Sequence, residues 1–386
     1  MAGKKRRFGR IRKLPSGRYQ ARYLGSDGVD RPAPQTFAAV GDADDWLAEQ
    51  QTEIRRGDWQ DPDAGAVNFG VYALQWVQER DLSATTAELY RRLLRLHILP
   101  TFGGMDLDEI TPPHVRTWRA DRKQVTGETT VAKSYRLLRA IMETATDDEL
   151  IRRNACRIKG AGKESAAERP VATVAQVDAL ADAMGPRWRL MVYLAAYGPA
   201  RPEEQAALRR SAVDVESVGV WVRKAEPELT TGRRAPGDTK SEAGMRFLAL
   251  PAFMEKELKR HLAWYAEKTP GGLLFVGERG KPFRRSTFGR KWRKARAKVG
   301  LPEAFRFYDL RHTGHTLTTR SGATLKDTMV RAGQSTEKAA LIYQHSDRER
   351  QREVAAGLDR MVQAERKKAA AQLDDQASGT QRARDA

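Results

Sequence analysis

The run Gly160-Ala-Gly-Lys-Glu-Ser-Ala-Ala-Glu-Arg-Pro170 is the strongest constraint on how this chain can fold. Small, polar, glycine-bearing residues at that density cannot carry a hydrophobic core across it. It reads as a linker over 160–170, and it divides stretches of different periodicity. At 386 residues the chain is long enough for two or three domains.

Before the linker, 67–159 reads as all helix. Val131, Tyr135, Leu138, Met142 and Ala145 form one apolar stripe, and Leu89, Leu93 and Leu96 a second. Thr85 and Glu88 have capping-box spacing, and Thr111 before Pro112 starts another helix. Earlier still, over 1–62, the alternation Gly17-Arg18-Tyr19-Gln20-Ala21-Arg22-Tyr23 leads into a turn at Ser26-Asp27-Gly28. A short ribbon or small sheet is expected there, followed by a helix over 43–56 with Trp46, Leu47 and Ile54 apolar.

After the linker, 171–361 is mixed. Strands are predicted at 218–223, 246–250 and 273–276. A helix after Ser286 turns Phe288, Trp292, Ala295 and Val299 inward. The tail, 362–386, is expected to hold a helical turn or two and then fray. The predicted fold class is multidomain: a small N-terminal β-ribbon or sheet with a helix, an all-α bundle, and a mixed α+β domain.

Charge narrows the function. Lys and Arg total 69 against 50 Asp and Glu, an excess of 19. Such an excess raises self-repulsion without helping the fold, so it points to a polyanionic partner. The longest apolar stretch, 190–197, is far too short to span a bilayer, and no apolar run follows the basic N-terminus. Nucleic acid is therefore the expected partner, and no membrane is. One cysteine, Cys156, excludes an intrachain disulfide framework and any cysteine-based metal cluster, and fits a reducing cytoplasm. His312 and His315 stand three apart without a carboxylate–histidine motif, so neither a metal nor another cofactor is expected. Gly272 and Gly277 have P-loop spacing, but Glu278 follows where lysine is needed. No Gly-x-Ser-x-Gly elbow occurs.

Cations suited to phosphate fall in three groups. Lys4, Lys5, Arg6, Arg7, Arg10, Arg12, Arg18 and Arg22 belong to the ribbon. Arg91, Arg95, Lys133 and Arg136 lie off the apolar stripes of the bundle. Arg290 and Arg293 lie on the helix after Ser286.

Four boxes remain in the mixed region: Tyr197-Gly-Pro-Ala-Arg201-Pro-Glu-Glu204; Thr239-Lys240-Ser-Glu-Ala-Gly-Met-Arg246; Tyr308-Asp-Leu-Arg311-His-Thr313; and Ala332-Gly-Gln334-Ser335, reaching Leu341-Ile-Tyr343-Gln-His345. In this order and spacing they resemble the tyrosine recombinase (phage integrase) family, particularly its actinobacterial phage-like members. The resemblance covers the whole catalytic domain, and the basic ribbon and helical bundle are similar to that family's arm-binding and core-binding domains.

The resemblance implies that Tyr343 attacks a DNA phosphate, leaving a 3′-phosphotyrosine and a free 5′-hydroxyl. Arg201 and Arg311 would hold the phosphate oxygens, and Lys240 would protonate the leaving oxygen, with Lys224 and Lys281 as competing amines. Glu204 would orient the site. The chemistry suits these residue types. A phenol of pKa about 10 needs a positive field to react near neutrality, and two guanidinium forks supply one. Where the family has histidine, this chain has Tyr308 and Gln334. Both can donate hydrogen bonds, but neither replaces imidazole as a neutral-pH base.

The partners implied are double-stranded attachment-site DNA, further copies of the chain in a tetramer, a host DNA-bending protein and an excision factor, in the cytoplasm at the nucleoid. The same chemistry would serve a chromosome-dimer resolvase or a conjugative-element recombinase. A catalytically degenerate DNA-binding protein is the alternative from another class.

Overall fold

The structure is a computed structural model that describes residues 8–164, 169–238, 242–337, 352 and 355–367. Lys4, Lys5, Arg6, Arg7, Lys240, Tyr343 and His345 lie outside the described residues. The chain divides into two compact units, Met1–Ala167 and Glu168–Ala386.

The first unit has two cores. In the smaller one, β1 (Arg10–Lys13), β2 (Tyr19–Leu24) and β3 (Asp30–Pro32) form an antiparallel sheet in that order. The expected alternation sets the faces. Ala21 and Tyr23 turn inward to pack with Ala43 and Leu47 of α1 (Val40–Arg56). Arg10 pairs with Arg22, and Arg12 with Gln20, so these four lie on the other face. Gly28, at φ 80°, supplies the left-handed residue of the turn at Ser26-Asp27-Gly28.

The larger core belongs to the bundle: α2 (Phe69–Glu79), α3 (Ala84–Leu93), α4 (Leu99–Phe102), α5 (Pro112–Val125) and α6 (Glu128–Asp147). The stripe from Val131 to Ala145 is buried throughout. Two local expectations need correction. Ser83, not Thr85, caps α3, its Oγ accepting the Thr86 amide at 3.4 Å. A π-helical turn over Leu94–Ile98 then follows α3. The wider turn rotates the inward face, so Leu94 and Ile98 are buried while Leu96 is 46% exposed. The start of the expected linker also packs on the bundle: Ala161 is buried, and Glu164 pairs with Arg136 and, at 3.7 Å, with Lys133.

The second unit contains α7 (Val174–Met184), α8 (Pro186–Tyr197), α9 (Pro202–Ala207), β4 (Val213–Asp214), β5 (Gly219–Val222), β6 (Lys224–Ala225), β7 (Gly237–Asp238), β8 (Arg246–Ala249), α10 (Met254–Trp264), α11 (Arg285–Lys298), α12 (Asp309–Arg320) and α13 (Leu325–Ala332). Helix α8 is apolar on nearly all sides and packs against α7, α10 and α12. A sheet of order β4-β5-β8 and a β6-β7 hairpin form the β-rich middle. The strand expected at 273–276 is instead an irregular segment with isolated bridges Arg209–Leu273 and Val276–Pro282. Phe288, Trp292 and Ala295 of α11 are buried, as their spacing predicts. The stretch 355–367 is helical. Among the described residues, no helix is long and apolar enough to cross a membrane.

Candidate active site

Helix α8 stops at Gly198, and the chain turns through Pro199 and Ala200 to Arg201, where Pro202 restarts it as α9. One turn into α9, Glu204 reaches back. Its Oε2 accepts the Arg201 amide at 2.8 Å, and its Oε1 accepts from the Arg201 guanidinium. The Glu204 carboxylate also receives Arg246 of β8, at 3.2 Å from Nη1 and 3.0 Å from Nη2. Burial would raise the Glu204 pKa, but Arg246 and then Arg201 hold it below the ordinary carboxylate range. It stays charged, and it is 2% exposed.

Arg311 lies in the first turn of α12 and is 1% exposed. Its Nη1 donates to the Pro199 carbonyl, in the loop before Arg201, and its Nη2 donates to the Ala332 carbonyl at 2.6 Å. Burial, reinforced by the positive Arg201 beside it, lowers Arg311 to about 10, so it remains a cation at neutral pH. Arg201 meets the end of α13 as well, donating from Nη2 to Gly333 O at 3.1 Å. Two like charges sit together because α13 presents the negative end of its dipole to both. Arg201, at 21% side-chain exposure, is the more open of the pair.

Tyr308 caps α12 and is 39% exposed, with its ring 5.7 Å from that of His312. It lies close enough to Arg201 and Arg311 to belong to the same electrostatic cluster. Gln334 follows Gly333, the left-handed residue ending α13, and is half-buried. Arg201, Glu204, Tyr308, Arg311 and the approach to Gln334 are thus gathered at one place. His312 and His315 are both lowered by burial. Asp309 holds the base of α12, accepting both Arg169 Nε at 2.8 Å and Nη2 at 2.6 Å. Among the described residues there is no group of three His, Cys, Asp or Glu placed to hold a metal.

The other expected cations are distributed outside this cluster. Arg10 and Arg22 both pair with Asp30, at 2.6 and 2.8 Å. Arg12 donates to Gln20 at 3.2 Å, and Arg18 to Thr36 at 2.7 Å. Lys133 and Arg136 share Glu164. Arg91, Arg95, Arg290 and Arg293 are exposed.

Two arginines at the site escaped the sequence reading. Arg246 ended a box without receiving a role. Arg331 donates to Ala249 O at 3.1 Å and Tyr197 O at 2.9 Å, tying α13 to β8 and α8. The only signal for Arg246 was a charge at the first position of the apolar run Arg246-Phe-Leu-Ala-Leu, and its carboxylate partner lies 42 residues earlier.

The comparisons agree with this architecture. Residues 7–56 match the phage integrase N-terminal domain, residues 68–121 the phage integrase N-terminal SAM-like domain, and residues 171–350 the phage integrase family. The putative prophage phiRv2 integrase of Mycobacterium tuberculosis is 39% identical over 367 residues, covering 93% of this chain and 97% of that protein. Among solved structures, the Tn1549 transposon integrase in complex with a circular-intermediate DNA aligns at TM-score 0.66 and 19% identity, covering 76% of this chain and 99% of that one. A lambda integrase tetramer bound to a Holliday junction aligns at TM-score 0.56 and 16% identity, covering 89% and 97%. The chain belongs to the phage integrase family and is a site-specific DNA recombinase of the tyrosine recombinase type.

Proposed function

We propose that this recombinase cuts one DNA strand by attack of the Tyr343 hydroxyl on a backbone phosphate. The new bond joins the phenolic oxygen to phosphorus, and the bond to the 5′-oxygen breaks. The strand is held as a 3′-phosphotyrosine until the 5′-hydroxyl of another strand reverses the step. Arg201 and Arg311 hold the non-bridging oxygens as charge builds on the pentacoordinate phosphorus. Lys240 gives a proton to the departing 5′-oxygen. Tyr308 and Gln334 donate hydrogen bonds to the phosphate, and the Tyr343 proton passes to solvent as the paired guanidiniums lower the cost of the phenolate. Glu204 keeps Arg201 oriented.

In this reading, 1–62 binds arm-type DNA, 67–159 binds core DNA, 160–170 links, 171–361 carries the chemistry and 362–386 is a tail. The cations assigned to phosphate contact are Lys4, Lys5, Arg6, Arg7, Arg10, Arg12, Arg18, Arg22, Arg91, Arg95, Lys133, Arg136, Arg290 and Arg293. The tetrameric lambda integrase supports assembly of four copies on DNA. A host DNA-bending protein and an excision factor complete the set of partners, in the cytoplasm at the nucleoid.

The observation that carries the reading is the seating of Arg201 and Arg311 on successive carbonyls of one helix end. The test is a covalent adduct. Nicked duplexes from DNA flanking the element are incubated with the protein and denatured in detergent. The wild type retains labelled DNA and Tyr343→Phe retains none, while Arg201→Ala slows capture by about a hundred- to a thousandfold. Tight, specific binding with no adduct on any flanking duplex would favour the degenerate DNA-binding alternative.

A further inference from the structure

The last carbonyls of a helix have no amide partners of their own, and at α13 three arginines take them in order. Arg331 O accepts Arg246 Nε at 2.8 Å, Ala332 O accepts Arg311 Nη2 at 2.6 Å, and Gly333 O accepts Arg201 Nη2 at 3.1 Å. Two of these arginines belong to the proposed phosphate grip. The third has a different surrounding. Arg246 is 6% exposed, and besides Arg331 O it donates to Gly244 O at 2.8 Å and to both oxygens of Glu204. Four of its five N–H groups are committed within the protein and the side chain is buried, so it is not placed to bind phosphate.

We propose that Arg246 is a positioning residue for strand cleavage, acting on Arg201 through Glu204 and the end of α13. The inference rests on the function proposed above. Glu204 is a buried carboxylate whose charge must be matched. With Arg246 on one side, Arg201 needs to supply only part of the match and keeps N–H groups for a phosphate. Without Arg246, Glu204 draws the whole Arg201 guanidinium inward, and the end of α13 keeps only the Arg331 bond to Ala249 O as its hydrogen-bonded link to β8. Gly333 fits this arrangement: its φ is +57°, and an added Cβ would stand 2.7 Å from Arg246 Nη1 and 3.0 Å from Ala243 O. The helix end and the β8 arginine are packed too closely for a side chain between them.

The test compares Arg246→Met with wild type on the nicked duplex that the wild type captures. Under single turnover at saturating protein, adduct formation falls about a hundredfold, while non-covalent DNA affinity stays within about threefold. The same duplex is then made with a methylphosphonate at the scissile position, which removes one of the charges the guanidiniums must hold. On it the deficit of Arg246→Met shrinks to less than about tenfold, as does that of Arg201→Ala. Combining Arg246→Met with Glu204→Gln is no slower than the slower single change. Should Arg246→Met fail to fold, Arg246→Lys, which keeps the charge but not the fork, is scored in the same way.

An equal deficit on phosphate and methylphosphonate overturns the inference. So does recovery of the wild-type rate merely by working well below the variant's melting temperature. A wild type that forms no adduct overturns the proposed function and this inference with it.

Discussion

A guanidinium withdrawn from water must find an oxygen for each N–H or lose the free energy of its hydration. At Arg311 backbone carbonyls take one N–H from each terminal nitrogen, while Nε has no hydrogen-bond partner in the cluster. The surrounding histidines follow the opposite logic. Burial favours neutral imidazole, so His312 and His315 are lowered from their ordinary 6.5 and stay uncharged above it. In the proposed site, Tyr308 and Gln334 stand where a histidine would titrate. Single-turnover cleavage is therefore expected to show no inflection between about pH 6 and 7. A clear limb in that range, whether or not His312→Gln or His315→Gln removed it, would defeat the assignment. Arg201, Arg311 and Glu204 were legible in the sequence because box order and spacing marked them. Arg246 was not, since nothing local distinguishes a buried, paired arginine from an exposed one at the head of a strand.

Among the elements, α12 illustrates how close packing places the Arg311 side chain. Gly314 faces α8, and a Cβ there would lie 2.4 Å from Ala196 O, nearer than any real contact. Gly314→Ala must therefore push α12 away from α8, and Arg311 with it. A loss of about 1–3 kcal/mol in stability is expected, read as a lower urea midpoint of the second unit. An unchanged midpoint would mean that α12 is less tightly seated than its geometry requires. Elements with a strict period were visible beforehand: the α6 stripe, the β2 alternation, and the inward face of α11. The π turn over Leu94–Ile98 was not. Its wider turn is stabilised by tertiary contacts, including Trp118 Nε1 on His97 O at 2.7 Å, that no helical pattern records. The strand expected at 273–276 failed for a related reason, since an apolar run finds its hydrogen bonds only where a partner strand is available.

At the scale of the whole molecule, the excess of 19 positive charges is unevenly free. Arg10 and Arg22 share Asp30, and Lys133 and Arg136 share Glu164. Arg290 and Arg293 face solvent on α11. DNA affinity should fall steeply with salt, and removing a free cation should lessen that slope by about one while weakening binding at all sequences alike. Arg290→Gln and Arg293→Gln are each expected to do so. Lys133→Gln should change the slope less, because Glu164 already neutralises part of its charge. Fluorescence anisotropy across a salt series measures both, and equal slopes for the two sets would refute the distinction.

The sequence by itself determined the identity of the chemistry: which residue types occur, in what order, and on which elements the apolar periods set them. Those are local properties, fixed by side-chain character and by repeat lengths of two or 3.6. Only the tertiary structure decided how the charges are shared. Whether a guanidinium faces phosphate, carboxylate or a helix end depends on chain segments tens to more than a hundred residues apart. At α13 one helix end collects three arginines, from β8, from the turn before α9 and from α12, and a Coulomb interaction between such distant segments leaves no local imprint along the chain.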